Sequence, residues 1–109
     1  MSDIPEIFLY VITIGWKSGQ AHEIEIWFVE HENRFYIIAE NRENTHWAQN
    51  IRHNTAVQMR LDKDGTWQPA QGRFILTEMD AALVQQISAL FQAKYNWSDG
   101  LIVEIDPHA

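Results

Sequence analysis

Apolar and polar positions alternate along most of this chain, and this period predicts β-strands. The clearest alternation runs through residues 21–30, where Ile24, Ile26 and Phe28 share one face of a strand. Residues 34–39 are mostly aromatic or β-branched, which predicts a strand that is buried on both faces. In all, the pattern predicts six strands, at about residues 7–14, 21–30, 34–39, 56–61, 66–76 and 101–105.

A short helix is predicted between the third and fourth strands, over about residues 46–53. Thr45 precedes this segment and has the side chain of an N-cap residue. Trp47 and Ile51 are four residues apart, so we expect both to face the sheet. Asn50 is expected to face elsewhere.

A longer helix is predicted over about residues 78–94, with Thr77 as its cap. Its apolar stripe recurs with helical spacing and predicts core positions for Met79, Leu83, Ile87, Leu90 and Phe91. The order of elements is β-β-β-α-β-β-α-β with short hairpins, which predicts a mainly β fold with two helices and an antiparallel sheet. Because the fifth strand is bent at Pro69 and Gly72, the six strands favour closure into a small barrel.

The composition indicates one domain over residues 1–109, with residues 1–6 as a loose arm. The net charge of −7 argues against general binding to nucleic acid, and the lack of cysteine excludes disulfides, thiolate metal sites and a cysteine nucleophile. Neither an apolar run of about 18 residues nor a basic N-terminal region is present, so we expect a cytoplasmic protein without a transmembrane segment. Five tryptophans favour a ligand cleft or a subunit interface.

A glycine-bracketed turn follows the first predicted strand. Gly15 and Gly19 permit positive φ or the close approach of a ligand, so Lys17, Ser18 and nearby N–H groups could converge on an anion. The turn lacks the longer glycine spacing and the following helix of a Walker A loop. Two interpretations are open: an ordinary hairpin loop with a solvated lysine, or a phosphate cradle.

The start of the short helix is a second feature that favours anion binding. Its free N–H groups and the positive end of its dipole lie near Thr45, His46 and Trp47. If this end lies close to Lys17 and Ser18, the fold gathers cations, amides and an indole around one cleft. Such a cleft suits a ligand with a phosphate and a flat ring.

Other chemistries have weaker support in the sequence. The five histidines show no metal-binding spacing, so no metal site is predicted. Glu23 and Glu25 lie about 7 Å apart on one strand face, but the large sugar cleft of a glycosidase is not expected in so small a chain. Ser18 lacks the Gly-x-Ser-x-Gly elbow of a serine hydrolase. Surface histidines and a solvated or ligand-facing strand edge are the simpler interpretations.

Three motifs, in the same order, resemble the deazaflavin-dependent nitroreductase family, which belongs to the flavin-binding split β-barrels related to pyridoxamine 5′-phosphate oxidase. Residues 13–20 read Thr-Ile-Gly-Trp-Lys-Ser-Gly-Gln and resemble its Thr-x-Gly-Arg-Lys-Ser-Gly turn. Residues 47–54 read Trp-Ala-Gln-Asn-Ile-Arg-His-Asn and are similar to its Trp-x-x-Asn-(Ile/Leu)-x-x-Asn helix. Residues 94–101 read Lys-Tyr-Asn-Trp-Ser-Asp-Gly-Leu and are similar to a Lys-Tyr-Gly-Trp-x-Asp-Gly-Leu ending in one branch.

The resemblance implies a six-stranded antiparallel split β-barrel of the FMN-binding type, usually a homodimer, that holds a deazaflavin (coenzyme F-420) or FMN. Its chemistry would be hydride transfer from the reduced cofactor to a quinone-like, nitroaromatic or other electron-poor acceptor. No catalytic residue is singled out. The turn would contact the cofactor phosphate and the segment around the helix start would border the ring, so the implied cofactor-binding residues are Trp16, Lys17, Ser18, Gly19, Glu40, Asn41, Arg42, Asn44, Thr45, His46, Trp47 and Asn50.

The chain departs from the family pattern near the cofactor phosphate. Trp16 stands where the family has Arg, and Glu40 and Asn41 replace an expected Ser-Lys pair, with Arg42 as a candidate substitute cation. These changes weaken the binding of a polyanionic cofactor tail more than they weaken the fold. Two hypotheses follow: a small redox protein that binds deazaflavin or FMN, and a non-catalytic split-barrel binding module that has lost tight cofactor affinity.

Overall fold

A computed structural model describes residues 7–41 and 45–107. The expected loose arm at residues 1–6 and the predicted site residues Arg42 and Asn44 lie outside the described residues. Within the described ranges, neither helix is both long enough and apolar enough to cross a bilayer. The strands and helices there are β1 (Leu9–Ile14), β2 (Ala21–Ile26), β3 (Val29–His31), β4 (Arg34–Ala39), α1 (His46–His53), β5 (Ala56–Leu61), β6 (Gln68–Ile75), α2 (Thr77–Tyr95) and β7 (Leu101–Asp106).

The strands form one antiparallel sheet in the order β2-β1-β5-β6-β7-β4-β3. The predicted mainly β fold with two helices and an antiparallel sheet is therefore confirmed. The predicted strand count of six is wrong, because seven strands occur in the described part of the chain. The segment at residues 21–30, which was predicted to be one strand, breaks at Trp27 and Phe28 into β2 and β3.

This break forces the sheet to curve. β2 and β3 are the two edge strands, and the six steps between them would separate the edges of a flat sheet by about 29 Å. Ile26 and Val29 are only three residues apart in the chain, which spans at most about 11 Å. The sheet must therefore wrap until its two edges approach each other. Strand pairing ends at β2 on one side and at β3 on the other, so the predicted closure of the barrel is not confirmed.

Two hydrophobic layers cover the two faces of the sheet. On β4, Phe35 and Ile37 belong to the inner layer, which also contains residues of α1. Tyr36 and Ile38 belong to the outer layer, which contains residues of α2. The predicted burial of this strand on both faces is confirmed, with Arg34 as its exposed first residue.

Helix α2 differs from its prediction near its start. Ile87 and Phe91 are fully buried, as predicted for the apolar stripe. Met79, however, is 83 % exposed, and Leu90 is also exposed, so their predicted core positions are wrong. The helix is kinked at Asp80, whose φ of −148° and ψ of 51° are not helical. Residues before the kink therefore do not continue the stripe.

The N-caps also differ from their predictions. Thr45 is the N-cap residue of α1, but its side chain makes no capping hydrogen bond. The N-cap residue of α2 is Leu76, because Thr77 already lies within the helix. The helix starts were thus predicted within one residue, while the expected hydroxyl caps are not formed.

A buried carboxylate on β7 connects three neighbouring strands. Glu104 accepts a hydrogen bond from the Tyr36 hydroxyl of β4 at 2.9 Å. It also accepts two from Arg73 of β6, at 3.3 Å from Nε and 3.0 Å from Nη2. Burial, together with the hydrogen bond to Glu104, raises the pKa of Tyr36. The network satisfies a charge that would otherwise be costly inside the protein.

Candidate functional site

The turn between β1 and β2 is a compact loop closed by its own backbone. Gly15 N donates to the Gln20 carbonyl at 2.8 Å, and Gly19 N donates to the Gly15 carbonyl at 2.8 Å. Gly19 has a φ of 72°, in the left-handed region that favours glycine. A Cβ at position 15 would lie 2.5 Å from Ser18 Oγ, so the Ser18 side chain would have to move. The loop leaves Lys17 and Ser18 exposed.

Asn50 connects helix α1 to this turn. Its Oδ1 accepts a hydrogen bond from Trp16 N at 3.2 Å, and its Nδ2 donates to Thr13 Oγ1 at 3.0 Å. Asn50 is only 7 % exposed and Thr13 is fully buried. The prediction that Asn50 faces away from the sheet is therefore wrong. It shares with Trp47 and Ile51 the helix face at spacings of three and four residues.

Trp16 makes a second contact between the turn and α1. Its ring stacks on that of His53 at the end of the helix, with ring centroids 4.3 Å apart and an interplanar angle of 14°. Lys17 Nζ lies 4.8 Å from the centroid of the same indole, within the range of a cation–π contact. Trp16, which stands where the resembled family has arginine, thus packs against α1, and Lys17 supplies the positive charge of the turn.

A cavity of about 580 Å³, the turn pocket, lies beside the turn, β2 and α1. Four of its lining residues carry or can carry a charge: Lys17, His22, Glu23 and His46. Glu23 is paired with Arg60 at 3.6 Å, which offsets its negative charge. The other lining residues are Gly15, Trp16, Ser18, Ile24, Trp47, Gln49 and Asn50. The turn pocket therefore has the charge and polar groups that suit a small anion.

A second cavity, the aromatic pocket, has a volume of about 660 Å³. Its charged and polar lining comes from Glu25, Glu40, Asn41 and Thr45. The larger part of its wall is apolar and consists of Phe8, Ile26, Trp27, Ile38, Trp47, Phe91 and Trp97. This composition suits a flat, largely apolar ring with polar atoms along one edge.

Two polar groups of the aromatic pocket differ in how they are satisfied. Thr45 Oγ1 is buried and has no hydrogen-bond partner among the described residues. Such a group favours a ligand that supplies the missing bond. Glu25, by contrast, accepts a hydrogen bond from the Tyr10 hydroxyl. That bond, followed by burial and by the nearby carboxylates, raises the pKa of Tyr10 to about 12.

The two pockets share a wall. Trp47 lines both, and successive residues of β2 line first the turn pocket, at positions 22–24, and then the aromatic pocket, at positions 25 and 26. The predicted site residues divide between them. Trp16, Lys17, Ser18, His46 and Asn50 line the turn pocket, and Glu40, Asn41 and Thr45 line the aromatic pocket. Gly19 shapes the turn without lining either pocket.

Several lining residues of these pockets are not among the predicted site residues, and His22 and Trp27 are two of them. His22 follows the turn on β2 and lines the turn pocket. Trp27 lines the aromatic pocket, although the sequence pattern places it on the same strand face as Glu23 and Glu25. A large indole among solvated carboxylates is the signal that could have identified it. Within residues 7–41 and 45–107, no group of three side chains is suited to hold a metal ion.

A sequence model of the family described as F420H(2)-dependent quinone reductase matches residues 1–99 of the chain. No curated protein matches the sequence significantly.

Solved structures show the same fold at low sequence identity. The heme storage protein HutZ of Vibrio cholerae superposes with a TM-score of 0.74 and 14 % identity, over 94 % of this chain and 82 % of that one. A putative pyridoxamine 5′-phosphate oxidase from Listeria innocua superposes with a TM-score of 0.71 and 10 % identity, over 94 % of this chain and 84 % of that one. An F420-H2 dependent reductase superposes with a TM-score of 0.59 and 20 % identity, over 91 % of this chain and 93 % of that one. These likenesses establish a fold shared with pyridoxamine phosphate oxidase-like split barrels.

Proposed function

This chain belongs to the F420H(2)-dependent quinone reductase family, and we propose that it is a small reductase that holds its cofactor across the turn pocket and the aromatic pocket. The prediction of a deazaflavin cofactor is confirmed at the level of the family. FMN stays a prediction, as do the quinone-like or nitroaromatic acceptor, the homodimer and the cytoplasmic location.

The observation that carries the proposal is the position of Trp47 in the walls of both pockets. Because the pockets share this indole, one extended ligand can occupy both. A deazaflavin has the required form, with a flat ring at one end and a phosphate-bearing tail at the other. The charges of the two pockets favour one orientation, with the phosphate in the turn pocket and the ring in the aromatic pocket.

In the turn pocket, Lys17 is the residue that we expect to contact phosphate. Among the described lining residues of the two pockets, it is the only lysine or arginine. Ser18 Oγ and the exposed backbone of the turn can add neutral hydrogen bonds. Asn50 acts through Trp16, because its hydrogen bond to Trp16 N fixes the start of the turn.

In the aromatic pocket, we expect a polar edge of the ring to lie by Thr45, whose hydroxyl has no hydrogen-bond partner in the described part of the chain. Glu40 and Asn41 line the same polar part of the wall. The apolar wall excludes water from the reacting face, which protects hydride transfer from side reactions. When bound, the reduced deazaflavin supplies a hydride. That hydride, together with a proton, would reduce a quinone to its hydroquinone and leave the deazaflavin oxidised.

The test of this proposal is direct binding to purified protein. We expect coenzyme F-420 to bind at micromolar concentration, measured by the fluorescence anisotropy of the deazaflavin. FMN and hemin are the comparison ligands, because the fold is shared with an oxidase-like protein and with a heme storage protein. Binding of hemin without binding of F-420 would contradict the proposal.

A matched pair of lysine variants tests the orientation. Lys17→Ala should raise the Kd of F-420 about tenfold, because one charge-assisted contact to phosphate is lost. The loss should shrink at high salt, since an exposed charge is screened. Lys63→Ala removes an exposed lysine from the loop between β5 and β6 and should leave the Kd unchanged. Equal affinities of the two variants would remove Lys17 from the site.

The second hypothesis, a binding module without catalysis, has a separate outcome. Such a protein would bind F-420, yet reduced F-420 would not be oxidised when menadione or a nitroaromatic compound is added. Turnover with either acceptor favours the reductase. Absorbance of the oxidised deazaflavin provides the measurement.

A further inference from the structure

The connection between β2 and β3 presents an indole to the aromatic pocket. Trp27 and Phe28 are the two residues that link the edge strands of the sheet. Trp27 lines the aromatic pocket and is 38 % exposed, whereas Phe28 is buried in the inner layer. The position of the indole therefore depends on how Phe28 is held.

Phe28 is held by side chains from the last turn of α2. Tyr95 Oη accepts a hydrogen bond from Phe28 N at 3.2 Å and donates one to the Phe28 carbonyl at 3.0 Å. Lys94 Nζ donates to the same carbonyl at 2.9 Å. Both backbone groups of Phe28 are thus satisfied by α2 and not by a neighbouring strand, although they lie between two strands.

The same helix end also orients the indole of Trp27. The Trp27 and Tyr95 rings are stacked, with ring centroids 4.4 Å apart and an interplanar angle of 5°. Trp97 meets the Trp27 ring edge-on, at 6.3 Å and 70°. These contacts fix the plane of the indole, with Tyr95 outside the pocket lining and Trp97 within it. Tyr95 covers one face of the Trp27 ring, and Trp27 is 38 % exposed and lines the pocket.

We propose that Trp27 is the stacking platform for a planar acceptor, and that Tyr95 and Lys94 are positioning residues that hold it. This inference rests on the proposed function, because it assigns the acceptor to one wall of the same pocket. The cofactor ring lies by the polar part of the pocket, at Thr45. The acceptor ring lies against the face of Trp27 that is opposite Tyr95. The platform selects acceptors by the area of their planar rings, since stacking and apolar burial both grow with that area.

The test compares two quinones that differ in ring area, menadione with two fused rings and 1,4-benzoquinone with one. In Trp27→Leu we expect KM for menadione to rise about tenfold, with kcat unchanged and with little change for benzoquinone. The preference for menadione should therefore fall about tenfold. Trp27→Tyr keeps an aromatic ring and should retain most of the preference. Trp67→Leu is the matched control, because Trp67 lies outside both pockets and contacts Arg60.

The positioning residues are tested by variants that keep their packing. Tyr95→Phe retains a ring for stacking but loses both hydrogen bonds to Phe28, and Lys94→Met loses the ammonium group. Each should raise KM for menadione about threefold without changing the Kd of F-420. Full retention of the menadione preference in these variants would remove Tyr95 and Lys94 from the proposal.

A binding measurement separates this inference from the proposed function. Menadione is titrated into cofactor-free protein, and its Kd is measured by calorimetry for the natural protein and for Trp27→Leu. We expect weaker binding in Trp27→Leu, together with an unchanged Kd for F-420 in a parallel titration. Equal menadione affinity in the two proteins would overturn the platform, whatever the cofactor result. Failure of F-420 to bind the natural protein would instead overturn the proposed function.

Discussion

Replacement of Asn50 by alanine should lower the free energy of unfolding by far more than the small change in side-chain size indicates. The substitution removes two hydrogen bonds, one from Trp16 N and one to Thr13 Oγ1. It also leaves the fully buried Thr13 hydroxyl without its donor. Each lost bond costs about 1 kcal/mol, and a stranded buried group adds at least about 1 kcal/mol. We therefore expect a loss of about 3 kcal/mol in the free energy of unfolding.

Such a loss is a large share of the stability of a domain this size, which is of the order of 5–15 kcal/mol. It corresponds to a decrease of about 12 °C or more in Tm. The assay is guanidinium chloride unfolding followed by tryptophan fluorescence, with the midpoint and the m-value fitted separately. The midpoint should fall and the m-value should stay constant, because the variant loses contacts without changing the surface that unfolding exposes.

Asn54→Ala is the matched control at the other end of α1. Asn54 is exposed, and its Oδ1 accepts only from Ala56 N, so water can replace that bond and the cost should stay below about 1 kcal/mol. A double-mutant cycle of Asn50→Ala with Thr13→Val should give a coupling energy of about 1 kcal/mol. If Asn50→Ala loses no more free energy of unfolding than Asn54→Ala, or if the coupling energy is zero, the hydrogen bonds between α1 and the turn do not stabilise the protein.

Three further predictions follow from side chains and glycines in other parts of the fold. Because the hydrogen bond to Glu25 raises the pKa of Tyr10 to about 12, its stabilising effect is present below about pH 10 and is lost as pH rises to about 12. Tyr10→Phe should remove this part of the decline in Tm between pH 9 and 12, and an unchanged slope would contradict it. Glu104→Gln should lower the free energy of unfolding by about 2 kcal/mol, since it weakens three buried or half-buried hydrogen bonds; denaturant unfolding measures this loss. Gly100→Ala should cost at least about 2 kcal/mol, because its φ is 144° and a Cβ would lie 2.5 Å from the Ala39 carbonyl oxygen. Gly19→Ala meets nothing within 4 Å and should cost only about 1 kcal/mol, so equal losses in the two glycine variants would contradict the steric argument.

The elements that could be predicted are those whose side-chain pattern and local signals agree. Residues 34–39, 46–53 and 56–61 have the predicted bounds in the structure. In each case an apolar run or a clear period is bounded by turn or cap residues. The start of α2 could not be predicted in the same way. Periodicity treats a helix as straight, so it assigned Met79 to the core, whereas the kink at Asp80 turns that residue into solvent.

The candidate site was predictable in its parts but not in its arrangement. The turn and the start of α1 are recognisable because glycine and capping chemistry are local. Their proximity is a tertiary property. Within the described residues it is held by the hydrogen bonds of the buried Asn50 and by the stacking of Trp16 on His53. An asparagine on a short polar helix has no signature of burial in a single sequence. The residues alone make the proximity of the two segments conditional, and the resemblance to a known family implies it.

The break at Trp27 and Phe28 explains why the strand count was wrong. Ile24, Ile26 and Phe28 all contact the inner layer, so the alternation continues across the break without interruption. Alternation reports which face a residue occupies, but it does not report which strand lies beside it. The neighbouring element changes at Phe28, because the Phe28 carbonyl accepts hydrogen bonds from the side chains of Tyr95 and Lys94. These residues are 67 and 66 positions away in the chain. The contacts that end β2 at this point come from residues distant in the chain, so the local sequence pattern does not show them. The same contacts hold Trp27 in the pocket wall.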